Sequence, residues 1–343
     1  MRKNFGSQSF CRSIKRFMVM TLAVIGTAVF ATAGLAAAPQ GVVVTKFAHV
    51  LAETHANHTC YLSFAKRVKE MTKGKLIINV YPNSQLGNER EYVEFLQTGQ
   101  IEFGRAHTSV LGGFIPQFQT FDIPYLFKDR QQMFKAADGE LGRVLLKALA
   151  DKLQIKGLGF FDDGSRCLYN SRRPIYTPAD FKGLKVRTME NQIMIKTFNM
   201  LGAAAVPLPF GEVYSGLQQG VIDASEGPVQ GYWVMKHNEV AKYFSYTDTF
   251  IGPALPMVGL KWFNAQSKEF QQAIEQAARE MIVQERQLFA EQEKVATDDL
   301  KSKGVLFNAV KDKTAFMKIV EPIYKEFESQ LGKDLLDMAR NPK

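Results

Sequence analysis

What most constrains this chain is the way β-rich and helical segments take turns along it. Val42-Val-Val-Thr-Lys-Phe-Ala-His49 reads as a strand, and Tyr61, Phe64, Ala65, Val68 and Met71 then recur at helical spacing until Gly74. Residues 75–81 read as a second strand closed by Pro82. A helix over about 88–97 ends at Gly99 and leads into a strand at 101–104. The same grammar returns later, with strands at 155–161, 184–187, 203–208 and 221–223 and helices at 190–201 and 211–219. Such alternation predicts open α/β sheets with parallel strands. A chain of 343 residues is too long for one core, and the pattern occurs in two blocks, so two lobes are expected.

After Pro256 the pattern changes. Phe270, Ala273, Ile274, Ala277, Ala278, Met281, Ile282, Leu288 and Phe289 form a helical stripe with no proline or glycine between 267 and 300. Ser267 suits an N-cap and Gly304 a stop. A helix of ~34 residues would be ~50 Å long, more than one small lobe can cover. It must bridge the lobes, protrude or mediate a dimer.

The first residues carry a targeting pattern. Arg2, Lys3, Arg12, Lys15 and Arg16 precede an apolar run from Phe17 to Phe30 and the small-residue stretch Ala31-Thr-Ala-Gly-Leu-Ala-Ala-Ala38. This reads as a secretory signal peptide over 1–38, cleaved near Ala36 to Ala38, and implies a periplasmic protein. Without those five positives, 38 basic residues face 34 acidic ones. That excess is too small to argue for nucleic acid or an anionic membrane surface as partner. Cys11 would leave with the signal. Cys60 and Cys167 remain, and in a domain of this size two isolated buried thiols are expected.

Enzyme signatures are missing. There is no Walker loop, no Gly-x-Gly-x-x-Gly after a strand, no Gly-x-Ser-x-Gly elbow and no His-Glu-x-x-His. His55 and His58 could share a helix face, but nothing nearby completes a metal set, and a capping or solvated role is expected. No cofactor and no metal is implied. A periplasmic enzyme using Glu226 or His107 as acid or base remains the rival reading, and a ligand-sensing subunit is another.

The specific signal is Leu184-Lys-Val-Arg187-Thr-Met-Glu190-Asn191, where an arginine ends a strand just before a helix. In open α/β sheets that edge is where ligands bind, and a guanidinium is shaped to pair a carboxylate bidentately. Other stretches join it: Tyr81-Pro-Asn-Ser-Gln-Leu-Gly, Phe121-Asp-Ile-Pro-Tyr-Leu-Phe127, Gly164-Ser-Arg166, Thr177-Pro-Ala-Asp-Phe-Lys-Gly183, and Phe210-Gly-Glu-Val-Tyr214 with Leu217-Gln-Gln-Gly-Val-Ile-Asp223. In this order the chain resembles the periplasmic binding proteins of tripartite ATP-independent periplasmic (TRAP) transporters, the DctP-like family.

The resemblance implies a two-lobe α/β periplasmic binding protein fold (type II-like) with a long helix crossing both lobes. Lobe I would comprise 39–163 and about 253–292, lobe II 164–252 and about 293–343. It implies capture of a small organic carboxylate for membrane-embedded small and large transporter subunits. Arg187 matches the family's main carboxylate clamp and Arg166 its supporting arginine. Where many members carry Asn after the motif's Glu, this chain reads Glu226-Gly227-Pro228, which removes an amide and opens space. With Phe161, Tyr214 and Trp233 nearby in sequence, that favours a bulkier, aromatic or 2-oxo acid. The Phe-Asp-Asp-Gly-Ser-Arg and Glu-Gly-Pro context resembles members that take uronic acids, so sugar acids rival the aromatic ones. His49, Glu53, Glu89 and Thr108 follow strand ends and are further candidates for ligand contact. A monomer is expected, with the long helix as the one element suited to a dimer.

Overall fold

The computed structural model describes residues 41–342; the expected signal segment lies outside the described residues. Among the described residues eleven strands fall into two sheets. In the first, the order is β2 (Leu76–Tyr81), β1 (Val43–Ala48), β3 (Phe103–His107), β10 (Ala254–Gly259) and β4 (Ile155–Gly157). In the second it is β11 (Leu306–Ala309), β9 (Tyr243–Ile251), β5 (Ser165–Asn170), β8 (Ala224–Gly227), β6 (Lys185–Thr188) and β7 (Ala204–Pro207).

Both sheets are mixed, which corrects the expectation of purely parallel strands. β1 runs parallel to β2 and β3, and β6 parallel to β7 and β8. β10 is antiparallel to β3 and β4, and β5 is antiparallel to β8 and β9. The reason lies in two short crossings between the sheets; a third, over residues 260–305, leads from β10 to β11. The chain leaves the first sheet after β4 and enters the second as β5, then returns from β9 to β10 through Gly252-Pro253. Strands on these short crossings are not closed by a right-handed βαβ unit, so nothing imposes a parallel direction. The two short crossings pair with each other: Phe161 N–H donates to Ala254 O at 2.8 Å and Ala254 N–H to Phe161 O at 3.2 Å.

Residues 221–223, expected as a strand, instead form the turn before β8. Gly220 at φ 71° ends the preceding helix, and Ile222 N–H returns to Gly216 O. The long helix runs Lys268–Ser302 and is capped as expected, with Ser267 accepting from Phe270 N–H. At 35 residues it is ~52 Å long. It crosses both halves of the molecule. Phe270, Ile274 and Met281 pack with Tyr61, Phe64 and Phe103 of the first half. Further along, Phe289 O accepts from Gln230 in the helix Val229–Val234, and Asp299 from Trp233 Nε1 at 2.5 Å. Cys60 and Cys167 are both buried and free. Among the described residues no helix is long and apolar enough to cross a membrane.

Candidate functional site

A cavity opens at the ends of the strands of both sheets, where loops after β1, β3, β6, β7 and β8 converge. Its wall includes Val50, Leu51, Met189, Leu208, Phe210, Pro228 and Gly231, and its polar lining His55, Asn88, Glu89, Arg90, Arg105, His107, Asp163, Arg166, Arg187 and Glu190. Crevices outside strand ends collect ligands in such sheets because helix starts and loop groups point there.

Three buried arginines form the floor, and three buried carboxylates answer them. Arg105 on β3 donates Nη1 to Glu89 Oε1 and Nη2 to Asp163 Oδ1, the second at 2.5 Å. Arg166 on β5 donates Nη1 to Asp163 Oδ2 at 3.0 Å and Nε to Glu226 Oε2. Arg187 on β6 donates Nε to Leu208 O at 2.7 Å, while its Nη1 stands 3.5 Å from Glu226 Oε1. Strand order explains this layout: β8, which carries Glu226, lies between β5 and β6. Asp163 sits on the crossing between sheets and joins an arginine of each.

The three guanidinium groups are not equally compensated. Burial opposes the charge of all three. For Arg105 the pull of Glu89 and Asp163 overcomes burial, and for Arg166 that of Glu226 and Asp163 does so; both end above their ordinary value. At Arg187 burial outweighs Glu226 and the group ends below it. Arg187 is therefore the least compensated of the three, its one carboxylate contact being 3.5 Å long. Its plane lies over the Phe210 ring, 5.8 Å from Cζ to centroid.

Glu89 opens the helix Glu89–Thr98, whose Asn88 cap and Glu91 form a capping box. Its Oε2 accepts His107 N–H at 3.0 Å. His107 is locked: Nδ1 accepts Ser109 N–H at 3.1 Å, which places its proton on Nε2, facing Gly252 O at 3.1 Å. Burial and the charge of Arg166 hold it neutral, well below the usual imidazole value. His55 is the N-cap of the helix Ala56–Met71, accepting Asn57 N–H through Nδ1, and burial holds it at about 3. Burial pushes the Asp163 carboxyl up to about 6 against the pull of Arg105 and Arg166.

Of the sequence-derived candidates, Arg187, Arg166 and Glu89 meet at the cavity. Glu226 stands behind it, spent on the two arginines. Gly227 is not part of the lining; a Cβ there would lie 3.6 Å from Tyr169 and 3.9 Å from Arg166 Nη2. The remaining candidates lie elsewhere. His49 is buried and bonds His58, 3.0 Å between Nε2 and Nδ1. Thr108 donates to Pro253 O. Glu53 is exposed. Phe161 is core, stacked on Tyr61 at 5.6 Å. Tyr214 bonds Glu239 at 2.9 Å and Trp233 bonds Asp299, both outside the cavity. Sequence reasoning missed Arg105, Asp163 and Phe210. Phe210 follows β7 by the same strand-end rule that singled out Arg187.

The lining contains no serine, cysteine or lysine, and its histidine best placed for proton transfer is bonded at both nitrogens. Among the described residues no group of three or more His, Cys, Asp or Glu could hold a metal. Residues 47–330 match the family described as bacterial extracellular solute-binding protein, family 7 (DctP). The chain belongs to that family. It is 34% identical over 301 residues to the 2,3-diketo-L-gulonate-binding periplasmic protein YiaO of Escherichia coli, covering 88% of this chain and 90% of that one. The C4-dicarboxylate-binding periplasmic protein DctP of Rhodobacter capsulatus is 29% identical over 299 residues, 86% of this chain and 89% of its own. A solved TRAP periplasmic solute-binding protein from Chromohalobacter salexigens with bound D-glucuronate superposes with TM-score 0.84 at 32% identity, covering 87% of this chain and all of that one. The protein is thus a TRAP-type solute-binding protein, with the two-sheet fold and long helix that go with it.

Proposed function

We propose that the protein captures a hydroxylated monocarboxylic acid of the uronic or aldonic class and hands it to membrane-embedded small and large transporter subunits. The observation that carries this is the contrast between Arg187, which lacks a full counter-charge, and the acceptor-rich opposite end of the cavity. Glu89 and Asp163 are acceptors with lone pairs to spare for sugar hydroxyls. The same two acids would repel a second ligand carboxylate, so C4-dicarboxylates are disfavoured. The apolar side, Leu208 to Phe210 with Pro228, suits the face of a sugar ring. The aromatic-acid reading rests on Phe161, Tyr214 and Trp233, none of which lines the cavity, and it is not favoured.

In this reading the protein binds and does not catalyse, is exported by its first 38 residues and works as a periplasmic monomer. Residues 39–163 with about 253–292 form one closing lobe, and 164–252 with about 293–343 the other. The division of strands between the sheets supports these bounds. A thermal-shift panel of glucuronate, galacturonate, galactonate, succinate, 2-oxo acids, aromatic acids and neutral sugars tests the reading. A ligand at 100 times its dissociation constant adds ~2.7 kcal/mol, a rise of about 5–10 °C. Sugar acids should shift the melt and succinate should not. A shift by neutral sugars or peptides with none by acids would end the carboxylate reading.

A pH dependence follows from Asp163. A carboxylate bound at Arg187 in the same desolvated cavity raises the pKa of Asp163 further, so binding takes up protons. Affinity should therefore increase as pH falls from ~8 towards ~6, by no more than about tenfold per unit. It should level off below about 6, where Asp163 is already protonated in the unliganded protein. Titration calorimetry across that range should show a slope in wild type and a flat profile in Asp163→Asn. An equal slope in both would remove Asp163 as its source.

A further inference from the structure

The crossing segment that carries Asp163 is fastened to the long helix by side chains that no part of the ligand site uses. Glu285, wholly buried on that helix, accepts the Asp162 N–H through Oε2 at 2.9 Å. Its neighbour Arg286 donates Nη2 to Phe160 O at 3.1 Å and is itself held by Asp138 at 2.7 and 2.8 Å. Arg130 pairs Asp162 Oδ2 at 2.9 Å and Glu293, a further residue of the long helix, at 2.5 Å. Asp162 Oδ1 accepts Gly164 N–H at 2.9 Å, where Gly164 sits at φ +69° and an added Cβ would meet Pro228 Cβ at 2.8 Å. Asp162 thus faces the helix on one side, and Asp163 faces Arg105 and Arg166 on the other.

Among the described residues Glu285 has no cationic partner, and its Oε1 has no hydrogen bond. A buried carboxyl that makes one hydrogen bond to a backbone amide is a costly way to hold a chain unless the position of that chain matters. We propose that Glu285 is a positioning residue for ligand capture: it fixes the inter-sheet crossing at Asp162 so that Asp163 keeps both Arg105 and Arg166 aligned at the cavity. Burial drives its carboxyl well above the ordinary range, which favours the neutral form, and Oε2 accepts the amide. Glutamine is then a close mimic, and leucine, of similar bulk, is not.

The test is a double-mutant cycle read as ligand affinity, with the best-binding sugar acid as probe; only this choice of probe rests on the function proposed above. Glu285→Leu should weaken binding by about tenfold and Glu285→Gln by less than about twofold. In an Asp163→Asn background, Glu285→Leu should add less than about twofold, because residues acting through one another are not additive. Wild-type affinity in Glu285→Leu, or full additivity with Asp163→Asn, would overturn the proposal. If Glu285→Leu does not fold, Glu285→Asp, which withdraws the acceptor by one methylene, takes its place. Hydrogen exchange at the Asp162 amide gives a readout without ligand. It should quicken in the leucine variant and stay slow in the glutamine one, and equal rates in all three proteins would refute the clamp even if no acid binds.

Discussion

Replacing Arg187 with alanine is expected to weaken binding of a sugar acid by about a hundredfold or more while leaving the melting temperature within ~5 °C of wild type. The two halves of that expectation come from one imbalance. Arg187 is buried, it bonds the Leu208 carbonyl at 2.7 Å but stands 3.5 Å from Glu226, and burial disfavours its charge. Removing it takes away a strained charge together with one hydrogen bond and the packing on Phe210, so stability changes little. The bound carboxylate, by contrast, loses its bidentate partner in a desolvated cavity. Arg187→Lys should fall between, since an ammonium keeps the charge but not the fork. Titration calorimetry with parallel melts checks both. Ordinary affinity in Arg187→Ala would move the clamp elsewhere, and a collapse of the melt would make the residue structural.

Part of this arrangement is legible in the amino-acid sequence. Arg187 and Arg166 can be read there because strand-to-helix edges have local signatures, and the motif order around them is specific. The long helix is legible to within two residues of its ends, because its stripe is uninterrupted and Ser267 is a sound cap. Strand direction is not, since a crossing between sheets leaves no periodic trace. Arg105 escapes because the third strand is expected to stop at 104, whereas it runs to His107 with every residue buried. An arginine inside such a strand needs buried acids, and those come from Glu89 and Asp163, 16 and 58 residues away. The aromatic candidates fail for the opposite reason. Phe161, Tyr214 and Trp233 are near the motifs in sequence, but none of them reaches the cavity: Phe161 is core, Tyr214 turns to Glu239 and Trp233 to the long helix. Phe210, placed by strand geometry, is the ring that lines it.

Glu226 should show the converse of Arg187. Its replacement by leucine, of comparable volume, is expected to cost about 3–5 kcal/mol of stability, a drop in melting temperature on the order of 10 °C. One carboxylate, 1% exposed, answers two guanidinium groups because its strand lies between theirs. Without it, Arg166 keeps Asp163, already shared with Arg105, and a 3.5 Å bond to the backbone carbonyl of residue 226, and Arg187 keeps the Leu208 carbonyl. Glu226→Gln retains an oxygen for Arg166 Nε but loses the charge and the acceptor facing Arg187, so it should melt between wild type and Glu226→Leu. The pair of variants separates the bond to Arg166 Nε from counter-charge. In the proposed reading the site divides its labour: Glu226 holds the arginines in the fold, and Arg187 is left short of charge so that a ligand can supply it. A wild-type melt for Glu226→Leu would mean that both guanidinium groups are stable without that carboxylate. The reading of Arg187 as the group awaiting an anion would then fail with it.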